Sequence, residues 1–190
     1  MINNFEKLLT QSGGLFEGHT VFKNGYHGDG WVEKGFIIRK PRILDLVTIL
    51  QAEMIAKSFP DVDLIVGPIV NGSIVASFVA KHLGKEFAIT VGKNEEIEFH
   101  RMYIPKPPKK VVLVEDLIFT GTDVKANIDF LRYKGFEVLG VSVWINRLKG
   151  EINKTKVISL LEQPPFDLYK PEECLLCIKH APVMYNDIRE

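Results

Sequence analysis

Glu115 and Asp116 stand side by side in VVLVEDLIFTGTD (111–123), and Thr120, Gly121, Thr122 and Asp123 follow within a few residues. The apolar residues ahead of the pair read as a buried strand, and Val124, Ile128 and Leu131 behind it read as one face of a helix. A loop that enters a helix presents free backbone N–H groups and the positive end of the helix dipole. The Thr120-Gly121-Thr122 loop therefore suits a phosphate, with glycine allowing close approach and two hydroxyls adding donors. The carboxylates repel phosphate and suit sugar hydroxyls or Mg²⁺ instead. Phosphate at one end and a diol or cation at the other describe a sugar phosphate. The same residues also suit a plainer role, in which acids solubilise a strand end and Thr122 or Asp123 caps the next helix.

Two further groups could do chemistry. Asn71 and Gly72, in VGPIVNGS (66–73), form either a ligand loop or a tight turn. That segment imitates the start of a Walker A loop but has Ser73 where the lysine belongs, which argues against a P-loop ATPase. Cys174, Cys177 and His180, in CLLCIKH, are candidate zinc ligands without an obvious fourth, or a pair that packs the tail. Neither G-x-G-x-x-G nor G-x-S-x-G occurs, so dinucleotide and serine-hydrolase readings lack their usual support.

The elements that must position these groups are legible in the pattern. Ile43, Leu44, Val47, Leu50, Met54 and Ile55 recur at helical spacing until Pro60. DLIVG (63–67) predicts a strand, 73–83 a helix stopped by Gly84, and 86–91 the next strand. IEFHRMYI (97–104) predicts a strand or hairpin arm that PKPPKK cannot continue. Strands are expected again at 110–115, 136–145 and 156–162, with the helix after Asp123 ended by Gly135. Residues 1–35 read as a short helix, loops and short strands. Strand, loop and helix in repetition predict an α/β fold with an open parallel sheet, whose ligands lie beyond the carboxyl ends of the strands.

Composition sets the outer bounds. At 190 residues, 46% hydrophobic and 25% charged, the chain suits one domain with a small appended lobe. Its 24 basic and 24 acidic residues cancel, which gives no general support for nucleic-acid binding, and KPPKK reads as a solvated loop. No apolar run approaches the roughly 20 residues that span a bilayer. Glu6 and Lys7 interrupt any signal-peptide core, and two cysteines fit a reducing cytoplasm.

VVLVEDLIFTGTD resembles the phosphoribosyl-diphosphate (PRPP) motif of type I phosphoribosyltransferases. GLFEGHTVFKNGYHGDGWVEKG, VGPIVNGSIVA, GVSVWINR and PEECLLCIKHAPV resemble, in order, segments of the orotate branch, from about residue 12 to 183. The resemblance implies a parallel sheet flanked by helices, with a small hood from roughly 1–35 plus part of the C-terminus and a core of about 36–165. It implies that Glu115 and Asp116 bind the ribose hydroxyls with Mg²⁺ nearby. It places Thr120, Gly121, Thr122 and Asp123 around the 5-phosphate, and Asn71 and Gly72 at the pyrophosphate. Lys23, Trp31, Phe119 and Arg147 fall at the base pocket, and a guanidinium suits a carboxylate-bearing base. Lys93, His100 and Arg101 are the cations nearest the family's catalytic loop. The activity implied is transfer of phosphoribosyl from PRPP to orotate by a cytoplasmic homodimer, without nucleic acid or membrane as partner. The alternatives are transfer to another base, or a regulatory protein that binds PRPP or a nucleotide without turnover. Five positions depart from the family: Phe119 replaces a threonine, Asp123 a small or hydroxyl residue, and Thr90 an arginine, while Gly28 and Gly30 replace bulkier residues.

Overall fold

A computed structural model describes residues 4–92, 96–148, 150–161 and 164–188. From the N-terminus, α1 (Asn4–Ser12) leads into a hairpin of β1 (Leu15–Phe22) and β2 (His27–Val32), then the one-turn α2 (Gly35–Ile38). The long α3 (Pro41–Ser58) opens on Pro41, whose fixed φ and missing N–H suit a first helical position. Next come β3 (Leu64–Pro68), α4 (Asn71–Leu83), β4 (Glu86–Val91), β5 (Glu98–Phe99) and β6 (Lys110–Val114). They are followed by β7 (Leu117–Ile118), α5 (Thr122–Tyr133), β8 (Glu137–Asn146) and β9 (Val157–Leu161). The C-terminal segment holds β10 (Leu168–Tyr169), a 3-10 turn at Pro171–Glu173, α6 (Leu175–Ile178) and β11 (Tyr185–Ile188). No helix among the described residues is long and apolar enough to cross a membrane.

The main sheet runs β5-β4-β3-β6-β8-β7, with β9 on the free edge of β8. Its central strands β4, β3, β6 and β8 are parallel, as the continuous apolar runs LIV and VVLV require of strands covered on both faces. Helices α3 and α4 seal one face through Leu44, Val47, Ile55, Val75 and Val79. Helix α5 seals the other through Val124, Ile128 and Leu131. A second sheet, β10-β2-β1-β11, joins the N-terminal hairpin to strands from the C-terminal segment. The arm expected at 97–104 shrinks to Glu98–Phe99. The chain turns there, with the Tyr103 amide donating to His100 O at 2.8 Å, and Pro105, Pro107 and Pro108 bar further pairing.

One buried polar link ties α3 to the strand that backs the acidic pair. Gln51 and Trp144 are both fully buried. The Gln51 amide accepts from Trp144 Nε1 at 2.9 Å and donates to Ser142 O at 3.1 Å. Ser142 O also accepts the backbone amide of Glu115 at 3.1 Å, so a helix residue helps to fix the backbone of the site. Gln51→Leu leaves the indole N–H without its acceptor in an apolar interior. It should lower the unfolding free energy by roughly 1–3 kcal/mol in urea titration, with an unchanged m-value.

Candidate active site

The acidic pair follows the carboxyl end of β6, as expected, and a short strand, β7, resumes directly after it. Val114 pairs with Ser142 before it, and Leu117 pairs with Ile145 after it, in the same register along β8. Asp116 O accepts the amides of Trp144 and Ile145 at 3.1 and 3.2 Å. The backbone carrying both carboxyl groups is thus clamped to β8, while their side chains face a cavity of about 480 Å³. The opposite wall comes from the end of β2 and the start of α2.

Two helix N-termini border the same cavity. Helix α4 starts after Val70 and α5 starts after Gly121, and neither has a side-chain cap. The cap expected from Thr122 or Asp123 is not made, because the helix already begins at Thr122. Gly121 takes the cap position with φ 76°, a conformation that glycine adopts freely. The first-turn amides of α5 therefore keep their capacity for a ligand, beside the Thr120 and Thr122 hydroxyls, which lie 3.1 Å apart. At α4, Asn71 Nδ2 donates to Asp116 Oδ2 at 2.8 Å. A Cβ on Gly72 would lie 2.8 Å from the Glu115 carboxyl, so only glycine there lets the carboxyl group lie against the helix start.

The electrostatics are uneven. Glu33, Glu115, Asp116 and Asp123 line the cavity, and Lys34 is the one cation among its described lining residues. Burial, then the adjacent Asp116 charge, holds Glu115 well above the ordinary carboxyl range. Burial also raises Asp116, against the charge of Lys34 and the Asn71 hydrogen bond, which favour its ionised form. Lys34 is 8% exposed. Sequence reading missed it, although it sits three residues after Trp31 in WVEKG; its chemistry depends on a fold that sets β2 opposite β6.

Of the other expected site residues, Trp31 and Phe119 line the cavity. Trp31 stacks on Phe16, with ring centres 4.7 Å apart, and its buried Nε1–H has no acceptor among the described residues. Phe119 meets the edges of Phe22 and Tyr26 and so joins the site loop to the hood. Arg147 lies behind it rather than on the cavity wall, its guanidinium 5.7 Å from the Phe119 ring centre and donating to Phe166 O at 2.8 Å. Lys23 is exposed and does not line the cavity, nor do His100 and Arg101. Lys93 falls outside the described residues. Thr90 is buried and donates to Asn127 Oδ1 at 2.6 Å, a structural bond to α5 rather than a reach toward ligand. His180 is exposed, and the group it was expected to complete instead gathers His19 and His27 with Cys174 and Cys177.

A parallel sheet thus gathers an acidic pair and two uncapped helix starts, which suit anionic groups, around one cavity beyond its strands. Residues 37–168 match the phosphoribosyl transferase domain family, and the chain belongs to it. It is 30% identical over 177 residues to an orotate phosphoribosyltransferase of Thermotoga maritima, covering 93% of this chain and 94% of that one. The orotate phosphoribosyltransferase of Carboxydothermus hydrogenoformans is 25% identical over 94% of this chain and 93% of its own. Among solved structures, orotate phosphoribosyltransferase from Aeropyrum pernix superposes with a TM-score of 0.69 at 18% identity, over 81% of this chain and 90% of that one. Adenine phosphoribosyltransferase from Saccharomyces cerevisiae reaches 0.65 at 20% identity, over 82% and 99%. The fold is thus common to enzymes named for different bases.

A carboxyl whose folded pKa lies above its unfolded one binds more protons folded than unfolded. Its contribution therefore weakens stability as pH rises from the unfolded toward the folded pKa. In buffer free of divalent cations, Glu115→Gln should raise Tm at neutral pH. Its advantage over the unmodified protein should shrink as pH falls toward the ordinary carboxyl range. Differential scanning calorimetry across that range checks both the sign and the trend.

Proposed function

We propose that this protein transfers the phosphoribosyl group from PRPP to orotate, giving orotidine 5′-monophosphate and pyrophosphate. The observation that carries the reading is the pairing of two uncapped helix starts with one buried acidic pair around a single cavity. The α5 start and the Thr120–Thr122 loop suit the 5-phosphate; Asn71, Gly72 and the α4 start suit the pyrophosphate; Glu115 and Asp116 accept hydrogen bonds from the ribose hydroxyls between them. The orotate relatives, matched over nearly the whole chain, favour orotate as the base. Trp31 and Phe119 offer faces for a flat ring, and the Trp31 N–H offers a donor.

Magnesium belongs to the same reading. Four acids against Lys34 make the cavity's own charge unfavourable for a polyanion, and the hard oxygen donors of Glu115 and Asp116 fit Mg²⁺. Bound there with PRPP, Mg²⁺ would offset charge on the departing pyrophosphate. The chain's part is orientation: the helix starts hold both phosphate ends, and the anomeric C–O bond breaks as a ring nitrogen of orotate forms the new C–N bond. Asp123, which also lines the cavity, adds negative charge near the phosphate loop and raises Glu115 further. A cytoplasmic homodimer whose 88–101 segment serves a partner's site completes the proposal; Met102 and Ile104, just beyond it, are exposed apolar residues that suit such a contact.

Phe119 favours a second reading, transfer to a less polar base, because an aromatic ring occupies a cavity position where the orotate branch carries a hydroxyl. Pyrophosphate release from Mg²⁺-PRPP, measured with orotate and with other bases in turn, separates the two. Orotate should support turnover, and Asp116→Asn should lower kcat/KM by roughly 100-fold or more. Turnover confined to another base would replace the orotate assignment. PRPP binding by calorimetry without any pyrophosphate release would replace catalysis with a binding role.

A further inference from the structure

His19 on β1, His27 on β2, and Cys174 and Cys177 at the two ends of one turn in the C-terminal segment converge on one point, and none of the four lines the cavity. Their ligand atoms all lie within 4.8 Å of one another. His19 Nε2 is 3.3 Å from His27 Nδ1, 3.6 Å from Cys174 Sγ and 3.5 Å from Cys177 Sγ. Cys177 Sγ is 3.2 Å from His27 Nδ1. Zinc bonds of about 2.3 Å to sulfur and about 2.0–2.1 Å to nitrogen, at tetrahedral angles, set ligand atoms about 3.3–3.8 Å apart. We propose that these four side chains form a structural zinc site that fastens the C-terminal segment to the hood.

Three observations beyond the spacing support the assignment. His19 Nδ1 lies 2.9 Å from Ala181 O. A carbonyl oxygen only accepts, so Nδ1 carries the proton and the Nε2 lone pair faces the cluster, the orientation that a metal-bound histidine needs. Both cysteines are free thiols, and Cys174 is fully buried, which suits a structural ligand better than an exchanging redox pair. Two thiolates and two neutral imidazoles balance a divalent cation, so the closed site can be buried without net charge, and four protein ligands leave no open position for catalysis. The site links residues that the chain separates by as many as 158 positions, in a sheet too small to supply much core of its own. The hood so fastened carries Trp31 to the cavity and Phe22 and Tyr26 to Phe119.

Untagged protein purified from zinc-supplemented medium should carry about one zinc per chain by elemental analysis. Replacement by cobalt should give the intense visible bands of a tetrahedral thiolate site. Cys177→Ser and His27→Ala, both at partly exposed positions, should each lose the stoichiometric metal, whereas His180→Ala should keep it. Chelation of the unmodified protein should lower Tm by on the order of 5 °C or more, with zinc restoring it; this arm stands even where a ligand variant fails to fold. Metal-free protein that takes up neither zinc nor cobalt would overturn the site. So would retention of metal by His27→Ala with its loss in His180→Ala, or a Cys174–Cys177 disulfide in protein purified without oxidant.

Discussion

Two neighbouring carboxyl groups withdrawn from water repel each other and lose hydration, and most of the site can be understood as a response to that conflict. Strand β8 clamps the backbone of both residues, so neither can swing out to solvent by a local slip of the strand. Burial raises both carboxyl groups, and Lys34 and the Asn71 hydrogen bond counter that rise at Asp116. Gly72 removes the side chain that would otherwise push the Glu115 carboxyl off the α4 helix start. The arrangement costs stability in the empty protein. Hydroxyl donors or a cation placed against the pair would offset that cost, so a ligand that supplies them would gain binding energy there.

The central half of the fold was legible because its signals are local. An apolar run, an acidic pair, a small-residue loop and a helical stripe lie consecutively in 111–131, and each constrains its own neighbours. What was hidden depends on contacts between distant segments. Lys34 acts on Glu115 and Asp116 only because β2 faces the end of β6. His19 and His27 sit eight residues apart on a hairpin and approach the cysteines only when the C-terminal segment packs there, so adjacency in sequence favoured His180 instead. The missing cap at α5 was misread for a related reason. Thr122 and Asp123 have cap-forming side chains, but the left-handed turn at Gly121 puts both inside the helix.

The departures at Gly30 and Phe119 form one packing solution. A Cβ on Gly30 would come within 2.4 Å of the Phe166 ring, so glycine opens the space that Phe166 fills. Phe166 O then receives the Arg147 guanidinium, which lies over Phe119, and Phe119 in turn meets Phe22 and Tyr26. Phe119 thereby makes an aromatic link between the Thr120–Thr122 loop and the second sheet. A difference that looks like damage to a ligand site in one dimension is a change of mechanical coupling in three.

The second sheet also has a history in time. Strand β1 pairs with β2 by a short hairpin, but its other edge is covered by β11, with Thr20 opposite Tyr185. During synthesis the hairpin emerges early and waits, both outer edges unpaired, until β10 and β11 have been made after nearly the whole core. His19 and the other aromatic residues of β1 are exposed for that interval, and Phe22 is apolar enough to recruit wrong partners. Translation speed through the core, and chaperones that shield a strand edge, therefore bear on how much of this chain reaches its native form.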